Sequence, residues 1–510
     1  MKTLRLILGD QLNAQHSWYT SVSESTVYCM FEMRQETDYV KHHIQKVVGF
    51  FAAMRDFSKQ LEAKGHTVVY LTLDDTSNLQ NLEKNIKNII DSQGIETFEY
   101  QSPDEYRLDT QLKSICSTLS IPSSEVDTEH FYTKRDELSV FYEGKKQFVM
   151  ERFYRYMRKK HHILMEGEQP EGGEWNYDKS NRNKWKGSPE IPPFLDFKNP
   201  IKDILETIHT TGIKTIGRFN DTTFSYPINR EQSLEQLDYF NQNLLVHFGD
   251  YQDALHNEEV YLFHSRLSFA MNLKLISPKE IVDSVLAHYR VNYEEISISQ
   301  VEGFIRQVIG WREYMRGMYW AQMPKYKTLN TLDNHHAIPE FFWTGDTKMN
   351  CLSKTINNSL DNAYAHHIQR LMITGNYLLL TQTHPDEVDD WYLGIYIDAL
   401  EWVQLPNTRG MSQFADGGLI ATKPYVSSGS YINKMSNYCS DCKYNVKERL
   451  GENACPFNSL YWNFLDDKRP QLASNFRMKM MYSVLNKFST DELVAMKLRA
   501  SQVIETPENF

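Results

Sequence analysis

A chain of 510 residues is long enough for two or three domains with sizeable cores, and 41% hydrophobic with 24% charged residues places it among ordinary soluble globular proteins. The net charge of −11 counts against a broadly basic nucleic-acid binder and leaves only a local basic surface for such a role. No apolar run approaches the roughly 20 residues of a membrane span, so we expect no membrane partner. The opening MKTLRLILGDQL, interrupted by Asp10, is too short in its apolar part for a signal peptide; we expect a cytoplasmic protein whose cysteines stay reduced or bind metal.

The first third alternates strand and helix signals. Leu4 to Leu8, Thr26 to Phe31, Thr67 to Leu73 and Glu96 to Tyr100 read as strands, whereas His42 to Leu61 and Asn78 to Ile90 read as helices. Such alternation predicts a parallel sheet covered on both faces, a Rossmann-like α/β domain over residues 1–130. No GxGxxG follows the first strand, so the usual dinucleotide site is not expected there. Residues 131–230, within a polar, Gly- and Pro-rich stretch from Ser123 to Asn229, read as a connector. It carries one basic run from Arg152 to Lys160, with Arg155, Arg158 and Lys159, and a second of Arg182, Lys184 and Lys186 around Trp185. Each run is either a solvated face or a DNA contact. Residues 231–510 read as all-α, with the strongest helices at Val301 to Trp320, Thr355 to Thr381 and Asp389 to Val403. The aromatic share of 13% suits either a large helical core or stacking on planar ligands.

Four of the six cysteines form a pattern: Cys351, a CxxC at Cys439 and Cys442, then Cys455 followed by Pro456. A CxxC brings two thiolates from one turn to a common metal centre, and a Cys-Pro ending is reminiscent of bacterial ferredoxins. An iron–sulfur cluster, a structural zinc and no metal at all remain open on spacing alone. Cys29 and Cys116 read as packed thiols.

Gly310-Trp311-Arg312-Glu313-Tyr314 and Tyr364-Ala365-His366-His367-Ile368-Gln369-Arg370-Leu371-Met372 resemble the photolyase/cryptochrome superfamily. The cysteine layout and Gly410-Met411-Ser412-Gln413-Phe414-Ala415-Asp416-Gly417-Gly418 narrow the resemblance to the iron–sulfur bacterial branch, whose repair members are prokaryotic (6-4) photolyases. The likeness runs from LGDQL nearly to the C-terminus. It implies an all-α FAD-binding domain at the C-terminal end, a [4Fe-4S] cluster on Cys351, Cys439, Cys442 and Cys455, and 6,7-dimethyl-8-ribityllumazine as antenna. The implied activity is light-driven repair of (6-4) photoproducts in UV-damaged DNA by a monomer. A photoreceptor of cryptochrome type, which signals and does not repair, is the alternative. A dark nucleic-acid-binding iron–sulfur protein is a third reading, and the histidine pair argues against a cyclobutane-dimer enzyme.

The resemblance also distributes roles. His264, Ser265, Leu267 and Ser268, at an expected helix start, partly match a diphosphate grip, with His264 in place of Thr. Arg312 and Tyr251 are further FAD contacts. Arg370 and Asp398 look like the ion pair beside the isoalloxazine, where a fixed guanidinium–carboxylate pair tunes the ring, and Asn407 could face flavin N5. Repair of a (6-4) lesion needs a proton as well as an electron. His367, three residues before Arg370, is the expected donor, with His366 close by and Tyr425 assisting. Trp343, Trp391 and Tyr392 could relay electrons. Gly9, Asp10, Glu36 and Tyr39 match the lumazine segment. Asp178 could help at the DNA side through a divalent cation such as Mg.

Overall fold

Short runs rich in β-branched and apolar residues pair as one parallel sheet: β1 (Thr3–Leu6), β2 (Thr26–Phe31), β3 (Thr67–Leu71), β4 (Thr97–Gln101) and β5 (Ser123–Val126), in the order β3-β2-β1-β4-β5. β1 is central, with Leu4 opposite Val27 on one side and Phe98 on the other. A parallel sheet must bury both faces, and Leu4, Leu6, Val27, Cys29, Ile86 and Phe98 lie in its core, with Cys116 packed at the edge of the cluster. The helix Leu82–Gln93 is local chemistry: the Asn81 side chain accepts from the Lys84 N–H at its start, and Gly94 ends it at φ 62°.

The computed structural model describes residues 1–145 and 147–510. They divide into two units, the first made of Met1–Lys134, Pro192–Val246 and His264–Ser297, the second of Arg135–Ile191, His247–Phe263 and Ile298–Phe510. The first holds the sheet and its helices; the second is predominantly helical, as expected for the larger C-terminal part. All six cysteines are free thiols. Among the described residues no helix is long and apolar enough to cross a membrane.

Two of the expected long helices are broken. The one read over Thr355 to Thr381 stops at Asn362, turns through Ala363 at φ 50°, and restarts at His367. The one read over Asp389 to Val403 stops at Ile395 and resumes at Glu401. Neither break carries a Gly or Pro to mark it in the sequence, and most residues of both are buried. The interruptions pair with each other: the Ile397 N–H donates to the Ala363 carbonyl at 2.9 Å. The third expected helix, Val301 to Trp320, is continuous, running from Ile298–Ile305 through a wider π turn at Arg306–Arg312 into Glu313–Gln322.

Candidate functional site

Three π-helical turns mark the second unit: Arg306–Arg312, Arg370–Gly375 and Pro406–Ser412. They carry Arg312, Arg370 and Asn407, three of the predicted flavin contacts. π turns cost backbone bonding and cluster at functional positions. Each contains a glycine that admits a neighbour. A Cβ on Gly375 would collide with Ser412 Oγ and lie 2.6 Å from the Arg370 carbonyl, and a Cβ on Gly310 would lie 3.1 Å from the Tyr154 ring.

Arg370 and Asp398 form a two-pronged pair, with Nη1 donating to Oδ1 at 2.9 Å and Nη2 to Oδ2 at 3.4 Å. Arg370 Nε donates to the Ala365 carbonyl at 2.7 Å, and its guanidinium lies 3.8 Å from the centre of the Tyr396 ring. Asp398 comes from one helix break and Ala365 from the other, so the pair bolts the two breaks together. Arg370 and Asp398 keep 21% and 15% of their side-chain surface open, a rigid, planar, half-open polar edge suited to a heteroaromatic ring. Arg312 lies over the Trp402 ring at 4.6 Å. Asn407 Nδ2 donates to the Val403 carbonyl at 2.8 Å. Tyr251 donates to the Ser188 carbonyl at 3.2 Å and packs its ring against Phe263. The predicted grip residues His264, Ser265, Leu267 and Ser268 belong to the first unit, where Ser268 begins a short helix, as the sequence predicted, and Gln236 donates to the Ser265 carbonyl.

His366 and His367 sit at a helix start, not within a helix. His366 is the cap: its ring nitrogen accepts from the Ile368 N–H at 3.4 Å, and its own N–H donates to Gln369 Oε1 at 2.8 Å. His366 is therefore occupied as an acceptor. His367 is exposed at its surface while protein packs densely around it. That crowding, and then the charge of Arg370, pushes its imidazolium down to about 4.

Tyr392 donates to the Arg370 carbonyl at 2.6 Å, its ring lies 5.3 Å from that of Trp391, and Trp391 is edge-on to Phe342 at 5.1 Å, the neighbour of Trp343. Tyr396, which sequence reasoning passed over, closes this cluster against both Tyr392 and Trp391. Its spacing of four from Tyr392 was the available signal.

Cys351, Cys439, Cys442 and Cys455 line one cavity with Met349, Tyr438 and Tyr444. Cys351 and Cys455 are buried and the other two half-buried. Burial, then the charges of the other thiolates, pushes Cys455 up to about 12, and burial with Cys442 pushes Cys439 up to about 11. As thiolates these sulfurs would repel one another, and a cationic centre would relieve that repulsion. Among the described residues no three or more His, Cys, Asp or Glu side chains are grouped closely enough to hold a metal ion as placed. Tyr438 also accepts from Gln369 Nε2 at 2.7 Å.

Of the basic runs, the first is largely satisfied within the protein. Arg158 is fully buried and donates to backbone carbonyls of Ile163, Leu164 and Trp175, Arg155 pairs with Glu151 at 3.0 Å, Lys159 with Glu168 at 3.2 Å, and Lys160 with Glu137. In the second, Arg182 pairs with Asp178, Lys184 donates to the Ser436 carbonyl, and Trp185 is buried. Asp178 faces a further acid missed from sequence: burial and the Asp178 charge push Asp253 up to about 6. Tyr425 lies close enough to Asp178 to be raised by burial and by that charge.

In the first unit, Arg107 holds Glu36 through two bonds of 3.1 and 2.8 Å and lies 4.4 Å over the Tyr39 ring. Asp10 and Asp104 share Lys274, at 3.3 and 2.6 Å. Lys274, buried in an apolar run, was another missed residue. Gly9 lies against Met54, whose Sδ would be 3.0 Å from a Cβ there. The buried His42 Nδ1 and Arg107 Nε have no partner among the described residues, so a polar ligand beside Tyr39 has groups to meet.

A family model described as deoxyribodipyrimidine photo-lyase-related protein matches residues 5–224. A curated (6-4) photolyase of Agrobacterium fabrum is 41% identical over 502 residues, covering 96% of this chain and 97% of its own. Among solved structures, a bacterial class III photolyase from Agrobacterium tumefaciens superposes with a TM-score of 0.54 at 13% identity, covering 96% of this chain and 98% of its own. A Synechocystis cryptochrome superposes with a TM-score of 0.55 at 14% identity, covering 81% and 82%.

Proposed function

The chain belongs to the (6-4) photolyase family, within the photolyase/cryptochrome fold, and on that premise we propose that it is a light-dependent lyase that reverses (6-4) pyrimidine–pyrimidone photoproducts in DNA. The observation that carries the reading is the juxtaposition of a histidine turn with the Arg370–Asp398 pair in a chain 41% identical to such an enzyme along 96% of its length.

FAD bound beside Arg370 and Asp398 would supply an electron on illumination. The protein's own part is to hold and orient. Arg370, locked by Asp398, Ala365 and Tyr396, fixes one edge of the ring site, with Arg312, Asn407 and Tyr251 as further contacts. His264, Ser265, Leu267 and Ser268 would grip phosphate. His367 holds the proton to be given to the lesion, and Tyr425 assists from the Asp178 side. DNA phosphates near His367 offset the field of Arg370 and raise its affinity for that proton. Flipping the lesion out of the stack costs least at a damaged step.

Cys351, Cys439, Cys442 and Cys455 would hold a [4Fe-4S] cluster, whose part is to staple the C-terminal segment to the helix that begins at Asn350. Trp343, Trp391 and Tyr392, with Tyr396, provide an aromatic route for photoreduction. In the antenna region Glu36 acts through Arg107, and Tyr39, Gly9 and Asp10 complete a site for the lumazine. Asp178 with Asp253 would take a magnesium ion at the DNA side. A soluble monomer in the bacterial cytoplasm fits a DNA substrate.

The test is one illumination assay with the reduced holoprotein on two oligonucleotides, one bearing a (6-4) product and one a cyclobutane dimer. Restoration of the first alone is expected. Repair of neither, with flavin photoreduction intact, would turn the reading to a photoreceptor.

A further inference from the structure

A single buried tyrosine joins the cysteine loop to the histidine turn. Tyr438 is 1% exposed and immediately precedes Cys439. Its carbonyl accepts from Asn350 Nδ2 at 2.8 Å, and Asn350 immediately precedes Cys351. Its side chain lines the cysteine cavity. Its hydroxyl accepts from Gln369 Nε2 at 2.7 Å, and Gln369 Oε1 accepts from the His366 N–H at 2.8 Å. Gln369 is 6% exposed and His366 8%. With these groups buried, each end of the Gln369 amide is committed: one to the cap of the histidine turn, the other to the cysteine loop.

An amide has one donor end and one acceptor end, and its orientation is set by the group that can only be matched one way. The His366 N–H can only donate. Gln369 must therefore turn its oxygen to His366 and its NH2 outward, and Tyr438 is the acceptor that rewards this orientation. We propose that Gln369 and Tyr438 are a positioning pair that couples the four-cysteine cavity to the placement of His367. The inference rests on the proton-donor reading of His367. The pair touches neither lesion nor flavin; it acts by holding the cap from which His367 projects, and the cysteine loop in turn holds Tyr438.

The coupling is tested in the holoprotein with Tyr438→Phe, Gln369→Leu, the double variant, and Gln369→Glu with and without Tyr438→Phe. All retain the four cysteines, and iron per chain is measured in each. Expected, with iron unchanged, is a fall of about tenfold in (6-4) repair per absorbed photon for each single variant, since a small misplacement of a reacting group costs that much or more. Lesion-DNA affinity should change less than twofold. The double variant should be no worse than the worse single one, the mark of a shared interaction. Gln369→Glu should recover most activity, because a carboxylate accepts from both the His366 N–H and the Tyr438 O–H, and that recovery should vanish when Tyr438→Phe is added.

Amide hydrogen exchange of residues 366–370, which needs no substrate, should quicken in Tyr438→Phe. Additive losses, rescue by Gln369→Glu that ignores Tyr438, or unchanged exchange would overturn the coupling. So would loss of iron in step with activity, since that would make Tyr438 a support of the cysteine loop alone. If the wild-type protein repaired no (6-4) product, the donor reading would fall first, while the exchange arm would still decide whether the pair holds the turn.

Discussion

As the proposed proton donor, His367 needs its affinity for a proton raised, because desolvation by the surrounding protein and then Arg370 hold it down to about 4 in the free protein. On the proposed reading, bound lesion DNA would bring phosphate charge close to His367. The acid group in kcat/KM, which reports the free enzyme, should therefore titrate lower than the one in kcat, which reports the complex. Repair profiles from pH 5 to 9 at low and saturating DNA measure both. Coincident limbs, or a His367→Ala variant with unchanged yield, would remove the histidine from the chemistry. Asp253 shifts the other way, from the ordinary 3.8 up to about 6. Between those values the folded chain binds a proton that the unfolded chain has released, so stability falls as pH rises through that window. Asp253→Asn should flatten the dependence of Tm on pH between 4 and 6 and leave the variant at least as stable as the parent at pH 7, by calorimetry.

The legibility of the chain differs most between elements. β1, β2, β3 and β4 were readable because β-branched runs bounded by turn residues leave few alternatives, and the sheet helices because one face repeats at helical spacing. The helix breaks at Asn362 to His366 and Tyr396 to Leu400 were not readable. The breaks are mostly buried and hold no Gly or Pro to mark them, and Ala363 gives no hint of its left-handed turn. Arg370 and Asp398 were identified by motif, but not the reason they meet, which is that each break offers the other a backbone partner. The charge runs misled in the opposite sense, since Arg158 faces inward and its neighbours find acids of their own.

The π turns are a testable consequence of packing rather than of sequence preference. Gly375→Ala puts a methyl group against the Arg370 carbonyl, a backbone atom that cannot swing away. We expect a loss of about 1–3 kcal/mol of stability, with flavin retention falling at the same time. Equal melting temperature and equal flavin content would show that the turn has slack.

At the scale of the whole molecule, a net charge of −11 and a basic helix largely committed to internal partners leave few cations for phosphate. Binding to lesion-bearing duplex should therefore show a shallow salt dependence, with a slope of about −3 in log K against log salt, or some three phosphates neutralised. Titration between 50 and 300 mM salt measures it; a steep slope would mean that the paired cations let go of their acids on binding.

The backbone bond from Ile397 to Ala363 has an arithmetic consequence. Surface loops absorb extra residues at little cost, but the stretch between those two positions is a closed circuit whose residue count is fixed. One residue added within the helix Asn376–Leu380 would rotate everything after it by about 100° and carry Asp398 off the guanidinium it faces. Insertions should be tolerated freely in the exposed turns of this protein and not at all along that stretch.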